Sequence, residues 1–179
     1  MKISARPLEA LISKMRHSTT GFNANLAAVA STYNVSPFTI DFPASPYVAN
    51  TKSFLLGKIP PDEIIKYGVV STNKLSMYVD RVDNQNLEKP RNFSGVVMVR
   101  MDFHLFWGSS DMKQNFECMS LAVEDAVSET IQAYTVQNWG SSVVYNGAFS
   151  MMRGLIETPD GKGSLWQLLA FGLQFQIDV

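Results

Sequence analysis

Cysteine, histidine, charge and unbroken apolar runs are all scarce in this sequence. The single cysteine, Cys118, excludes an internal disulfide and any Cys-rich zinc module, and it suits a reducing compartment. Two histidines, His17 and His104, leave little from which to build a metal site, and neither a metal nor a cofactor is expected. Charged residues are 17% of the 179, against roughly 25% in an average soluble domain. Their balance is −1, which argues against a protein that grips phosphates through a broad basic face. The longest nearly apolar stretch, 165–173, is interrupted by Gln167 and falls short of the roughly 20 residues a bilayer requires. The first 17 residues carry scattered basic side chains and no solid apolar segment, so they do not read as a secretory signal. A soluble protein made in the cytoplasm is expected.

Ser, Asn, Thr and Gln stand where charge is missing, beside 46% hydrophobic residues, 11% aromatics and nine Met. Interface cores are depleted in Lys, Glu and Asp and enriched in aromatics and Met, so this composition suggests a surface partly covered by other subunits. The length supports one domain that buries roughly 70% of its unfolded surface without staples. The chain reads as one unit, 1–179, with an N-terminal helical arm (1–34), a proline-rich ordered loop or arm (35–67), and a sheet with its core helix (68–179).

Leu8, Leu11, Ile12 and Met15 recur at helical spacing behind Pro7, and a second helical stretch covers about 21–33. Five of the eight prolines then fall within 35–67, a density that excludes a helix or central strand. Phe38, Phe42 and Tyr47 lie among them, so the segment is expected to dock on something. Leu75, Met77 and Val79 alternate as a strand does. From 97 to 107 the alternation is clearest, with apolar odd positions and Arg100, Asp102 and His104 on the even face, which predicts one dry and one wet face. A long helix over about 111–133 follows, begun by a capping box of Asp111 and Gln114. The last third reads as two long strands around a turn at 158–163. The last strand is apolar on both faces near its start, where Trp166 and Leu168 oppose Leu165 and Leu169, and a neighbour is expected to cover part of it. This order predicts an α+β fold: a four-stranded antiparallel sheet, helices packed on one face, and a long C-terminal β-hairpin.

Chemistry is sparse. Arg100, Asp102 and His104 form the one visible acid, base and imidazole cluster, and period-two polarity favours an ordinary wet strand face over an Asp-oriented general base. Cys118 has an acidic neighbour, Glu117, and reads as an inert thiol. The stretch Gly161, Lys162, Gly163, Ser164 lacks the first glycine and the strand–helix flanks of a phosphate loop. No catalytic residue, and no enzymatic activity, is expected. One charge pattern stands out: the long helix carries Asp111, Glu117, Glu124, Asp125 and Glu129 against Lys113 alone. A solvated face explains it most simply.

The stretch 93–107 (FSGVVMVRMDFHLFW), the helix with Val123, Glu124, Asp125, Ala126 and Val127, the tetrad Val144, Tyr145, Asn146, Gly147, and the closing 171–177 (FGLQFQI) resemble the small neck proteins of tailed bacteriophages, in particular tail terminators. The resemblance covers about 22–179 and rests on element order and strand texture. It implies a virion structural protein, assembled in the host cytoplasm and residing in the tail or neck. Its α+β subunits would close into a ring, expected to be hexameric, that caps the tail tube, ends its growth and joins the tail to the head connector. The implied partners are further copies of the chain, the tail tube protein and a connector or stopper protein, with genomic DNA passing through unbound and no membrane involved. A ring needs two different patches that meet. Phe149, Trp166, Leu168 and Phe171 of the hairpin are the candidates for one, and Phe38, Phe42 and Tyr47 of the proline-rich arm for the other. Glu117, Glu124 and Asp125 would face the channel, where they repel phosphate. The alternatives are a head-completion or stopper protein of the same neck, and a small-ligand or enzymatic α+β module using His104 and Asp102.

Overall fold

The computed structural model describes residues 3–44, 47, 50–60, 63, 73–85, 93–107, 116–134, 139–140, 142–157 and 165–179. Helix α1 (Ala5–Met15) buries Leu8, Leu11, Ile12 and Met15 along one stripe, with Pro7 in the first turn, where its missing N–H breaks no intrahelical bond. The chain then turns sharply. The backbone N–H groups of Thr19 and Thr20 donate to His17 Nδ1 at 3.4 and 3.3 Å, and a β-carbon on Gly21 would collide with the backbone of His17 and Met15, so the elbow depends on glycine. Helix α2 (Phe22–Val29) is shorter than the stretch 21–33 expected from its spacing. Its end is closed by a Val35 N–H donated to the Ala30 carbonyl at 3.1 Å, with Asn34 in the left-handed conformation that asparagine tolerates.

The proline-rich segment docks on its own chain. Asn23 treats Ile40 as a strand would, donating Nδ2–H to its carbonyl and accepting its N–H, both at 2.8 Å. Ile40 is buried, and Phe42 meets Phe54 with ring centroids 5.6 Å apart. The segment also supplies a strand that alternation could not reveal, the three-residue β1 (Phe54–Leu56).

Strands β2 (Lys74–Asn84), β3 (Ser94–Trp107), β4 (Val143–Glu157) and β5 (Leu165–Asp178) complete a sheet of order β1-β2-β3-β5-β4, and helix α3 (Phe116–Gln132) precedes the β4–β5 hairpin. The fold is α+β as expected, but the sheet has five strands among the described residues instead of four. The fifth, β1, pairs parallel with β2, while every other pairing is antiparallel. The capping box at Asp111 and the turn at 158–163 lie outside the described residues.

All three helices share one apolar cluster with Val97, Val99, Met101, Phe103 and Leu105 of β3 and with Leu169, Phe171, Leu173, Phe175 and Ile177 of β5. Phe103 is its hub, with Phe22 of α2 at 4.9 Å and Phe171 edge-on at 5.9 Å. The opposite face is not wet, contrary to the alternation. Lys74 and Ser76 are fully buried, His104 is 2% exposed and Asp102 8%. Period two locates a polar face, and it says nothing about whether another part of the chain covers that face.

Candidate assembly surface

Strand register assembles the polar face row by row. Lys74 lies opposite His104 and Leu168, Ser76 opposite Asp102 and Ala170, and Tyr78 opposite Arg100 and Gly172. Leu55 and Ile59, from β1 and the turn after it, pack with Trp166 and Phe106 as a second buried cluster at the end of these rows. Trp166 stacks edge-on to Phe106 at 4.9 Å, and the Lys74 ammonium lies 5.4 Å from its ring centre.

Within this face, Tyr78 Oη donates to Asp102 Oδ2 at 3.0 Å, and Arg100 Nη1 donates to Ser150 Oγ at 3.3 Å. Burial and the neighbouring Asp102 carboxylate together push the Tyr78 hydroxyl up to about 12. Burial also raises the Asp102 carboxyl above its ordinary value, against the pull of Tyr78 and Arg100. The His104 imidazole is pushed down to about 4, chiefly by burial, and is neutral at pH 7. Ser76 Oγ, Arg100 Nε, Asp102 Oδ1, His104 Nδ1 and Trp166 Nε1 are buried without a hydrogen-bond partner among the described residues. Among the described residues no side-chain hydrogen bond joins the His104 imidazole to the Asp102 carboxylate; the bond His104 makes there is to the Asp102 backbone, and it pulls the imidazole's proton affinity up against the effect of burial. A substrate would meet the imidazole only if the cover over it moved.

The candidate interface residues fall in different places. Trp166 is fully buried by its own chain and Phe171 is 6% exposed against the core, so neither offers free surface to a neighbour. The cover expected there from another subunit comes from β1 and Ile59. Leu168 is half-buried, and the side chain of Phe149 lies outside the described residues. Phe38 and Phe42 are half-buried against the apolar cluster, which leaves Tyr47, 61% exposed, as the outward aromatic of the arm.

Sequence reasoning missed the sheet borders. Five large hydrophobic side chains are exposed among the described residues: Tyr47, Val82, Val144, Met151 and Met152. Val82 lies on β2, and the other three strand residues lie on β4, the outermost strand at its end of the sheet. A signal for β4 existed in the sequence, since residues 143–157 hold one Arg and one Glu and neither Lys nor Pro, the residues that usually guard an edge strand.

Beside β4, a groove of about 390 Å³ separates the second half of α3 from the hairpin; Val127, Ile131, Tyr145, Met151, Phe171 and Leu173 line it, and Glu124 and Asp125 stand at its border. Three acidic residues of α3, Glu117, Glu124 and Asp125, are already engaged. Arg153 of β4 donates to Glu117, and its Nε and Nη2 lie 2.6 Å from Glu124 Oε1. Tyr33 Oη donates to Asp125. Cys118 on the same helix is half-buried.

Among the described residues no group of three His, Cys, Asp or Glu side chains is placed to hold a metal ion, and no helix is long and apolar enough to cross a membrane. No protein-family model and no curated protein matches the sequence. A chain in the solved structure of the virion of native gene transfer agent (GTA) particle is similar to this one over 98% of its residues and 99% of that chain, at 11% identity and a TM-score of 0.42.

Proposed function

We propose that this chain is a structural protein of a tailed-phage-type virion, and within it a tail terminator whose copies close into a ring, capping the tail tube and joining it to the head connector. The observation that carries the reading is the exposed apolar border of β4. Val144, Met151 and Met152 are 37%, 53% and 52% exposed on a long outer strand with almost no charge, a surface that is costly to leave in water and ready to pair. The short stretches shared in texture with tail terminators point the same way. The rings of the proline-rich arm and of the hairpin start are largely spent on the chain's own core, so the proposed patch shifts from Trp166 and Phe171 to β4, with Tyr47 retained as the outward residue of the arm.

In this reading no residue is catalytic. His104 and Asp102 keep a polar strand face in register beneath its cover. Glu117, Glu124 and Asp125 border the channel, and Arg153 lowers their charge, so DNA passes a weakly acidic wall. The mass of the purified protein in solution, with a low-resolution image, tests the proposal: a sixfold annulus supports it, and a protein that stays monomeric at high concentration overturns it. Adding the protein to tails that lack their terminator separates this role from that of a stopper or head-completion protein, because only a terminator makes those tails competent to join heads. A ring structure with Glu117, Glu124 and Asp125 on its outer wall would remove the channel assignment alone.

A further inference from the structure

We infer that the ring closes through the sheet itself, with β4 of one copy adding as a strand beside residues 78–83 of β2 in the next. The inference rests on the ring reading and names the two surfaces it requires. The sheet has two open ends. At one, β4 has β5 on one side and, among the described residues, no strand on the other. At the opposite end β1 pairs only with Leu75, Ser76 and Met77 beside it, so, among the described residues, 78–83 of β2 have a strand only on their β3 side. Four of the five exposed large hydrophobic side chains lie on these two borders, Val82 on β2 and Val144, Met151 and Met152 on β4.

Strand sense selects the partner. Following the pairings across the sheet, β3 runs against β2, β5 against β3 and β4 against β5, so β4 and β2 run in opposite directions. Two copies related by a rotation about an axis running roughly along the strands therefore bring β4 and β2 together antiparallel, and each addition leaves the same two borders open for the next copy. That is the condition for a heterologous interface that closes into a ring. Neither border opposes the other by charge, because Asp83 is paired with Arg81 and Arg153 with Glu117 and Glu124 inside the same copy, and β4 carries no acidic side chain before Glu157. β4 is bulged twice between Tyr145 and Ser150, and from Ser150 onward its pairing is regular, which makes the part bearing Met151 and Met152 the straighter border for a new strand.

The test uses two edge-blocked variants of the full chain: Met151→Lys with Met152→Lys on β4, and Val82→Lys on β2. Circular dichroism and thermal unfolding confirm that each folds, and light scattering after size exclusion reads the mass. Each variant alone is expected to lose the ring and run as a monomer. Mixed in equal amounts, they are expected to give a discrete heterodimer, since each retains the border the other lacks. If the wild type forms a ring and both variants still form it, the sheet-edge contact is wrong while the ring reading survives. If only the β4 variant loses assembly and the mixture gives nothing, β4 pairs with itself across a two-fold axis, and the inference is overturned. A wild type that is monomeric at every concentration removes the ring and this contact together.

Discussion

The two faces of the sheet are both buried, and they are buried for different reasons. On the helix side, Val97, Val99, Met101, Phe103 and Leu105 meet three helices and make a continuous apolar cluster, in which burial is itself the driving force. On the other side, Lys74, Ser76, Asp102 and His104 are equally inaccessible, yet five buried polar atoms of that face, Trp166 Nε1 included, lack a partner among the described residues. Burial there opposes stability group by group and is offset by the bonds that are made and by the Trp166 cluster beside it. The difference teaches that the first face holds the fold together, whereas the second is carried by it.

The largest effect expected from breaking that contrast is on the apolar side. Phe103→Ala empties the hub between Phe22 and Phe171 and should cost about 3–5 kcal/mol, read as a fall in the urea midpoint at unchanged slope. A loss under about 1 kcal/mol would mean that the cluster repacks freely.

The next effect belongs to the polar side and to pH. His104 binds a proton at about 4 when folded and at an ordinary 6.5 when unfolded. Its contribution is therefore intact above pH 6.5 and is lost as pH falls toward 4, by up to about 3 kcal/mol at 1.36 kcal/mol per pH unit. Asp102 works in the opposite sense, because its raised folded value makes the native state take up a proton first as pH falls, which favours folding. Comparing urea midpoints of the wild type and His104→Leu between pH 7 and 4 isolates the imidazole: the variant should show the flatter profile. Equal slopes would show that His104 reaches solvent.

How much of this was legible in the sequence follows from what each pattern measures. The helix-side residues of β3 and β5 stand out because apolar alternation and apolar burial coincide there. The even positions 100, 102 and 104 of β3 alternate just as cleanly, but polarity reports the side chain and not its cover, so Arg100, Asp102 and His104 read as wet. The cover over the Trp166 end of that face comes from Leu55 and Ile59, which precede β3 and lie in a stretch whose prolines conceal β1. Trp166 was readable as apolar on a polar face, and its partner was not, since a long-range contact leaves no periodic trace. The open borders were half legible: the lack of charge along 143–157 was there to see, while the exposure of Val82 depends on how little of β2 the short β1 covers.

A smaller effect separates the bonded from the unbonded members of the polar face. Tyr78→Phe leaves Asp102 Oδ2 without its donor in a buried site and should cost about 1–2 kcal/mol, whereas Ser76→Ala removes a hydroxyl that has no partner and should change stability by less than about 0.5 kcal/mol in either direction. Equal losses in thermal unfolding would show that Ser76 is satisfied in solution. The smallest effect lies outside both faces. Arg153→Gln loosens the hairpin from α3, and because Glu117 is 64% exposed the pair is screened, so the loss should stay below about 1 kcal/mol and shrink further in high salt.

That modest energy hides a larger electrical lever. One guanidinium answers two carboxylates about two turns apart on α3, so β4 cannot swing away from the helix without baring both at once. The wall beside the groove then becomes more negative in a single movement, so the posture of the hairpin sets the charge that this side of α3 presents.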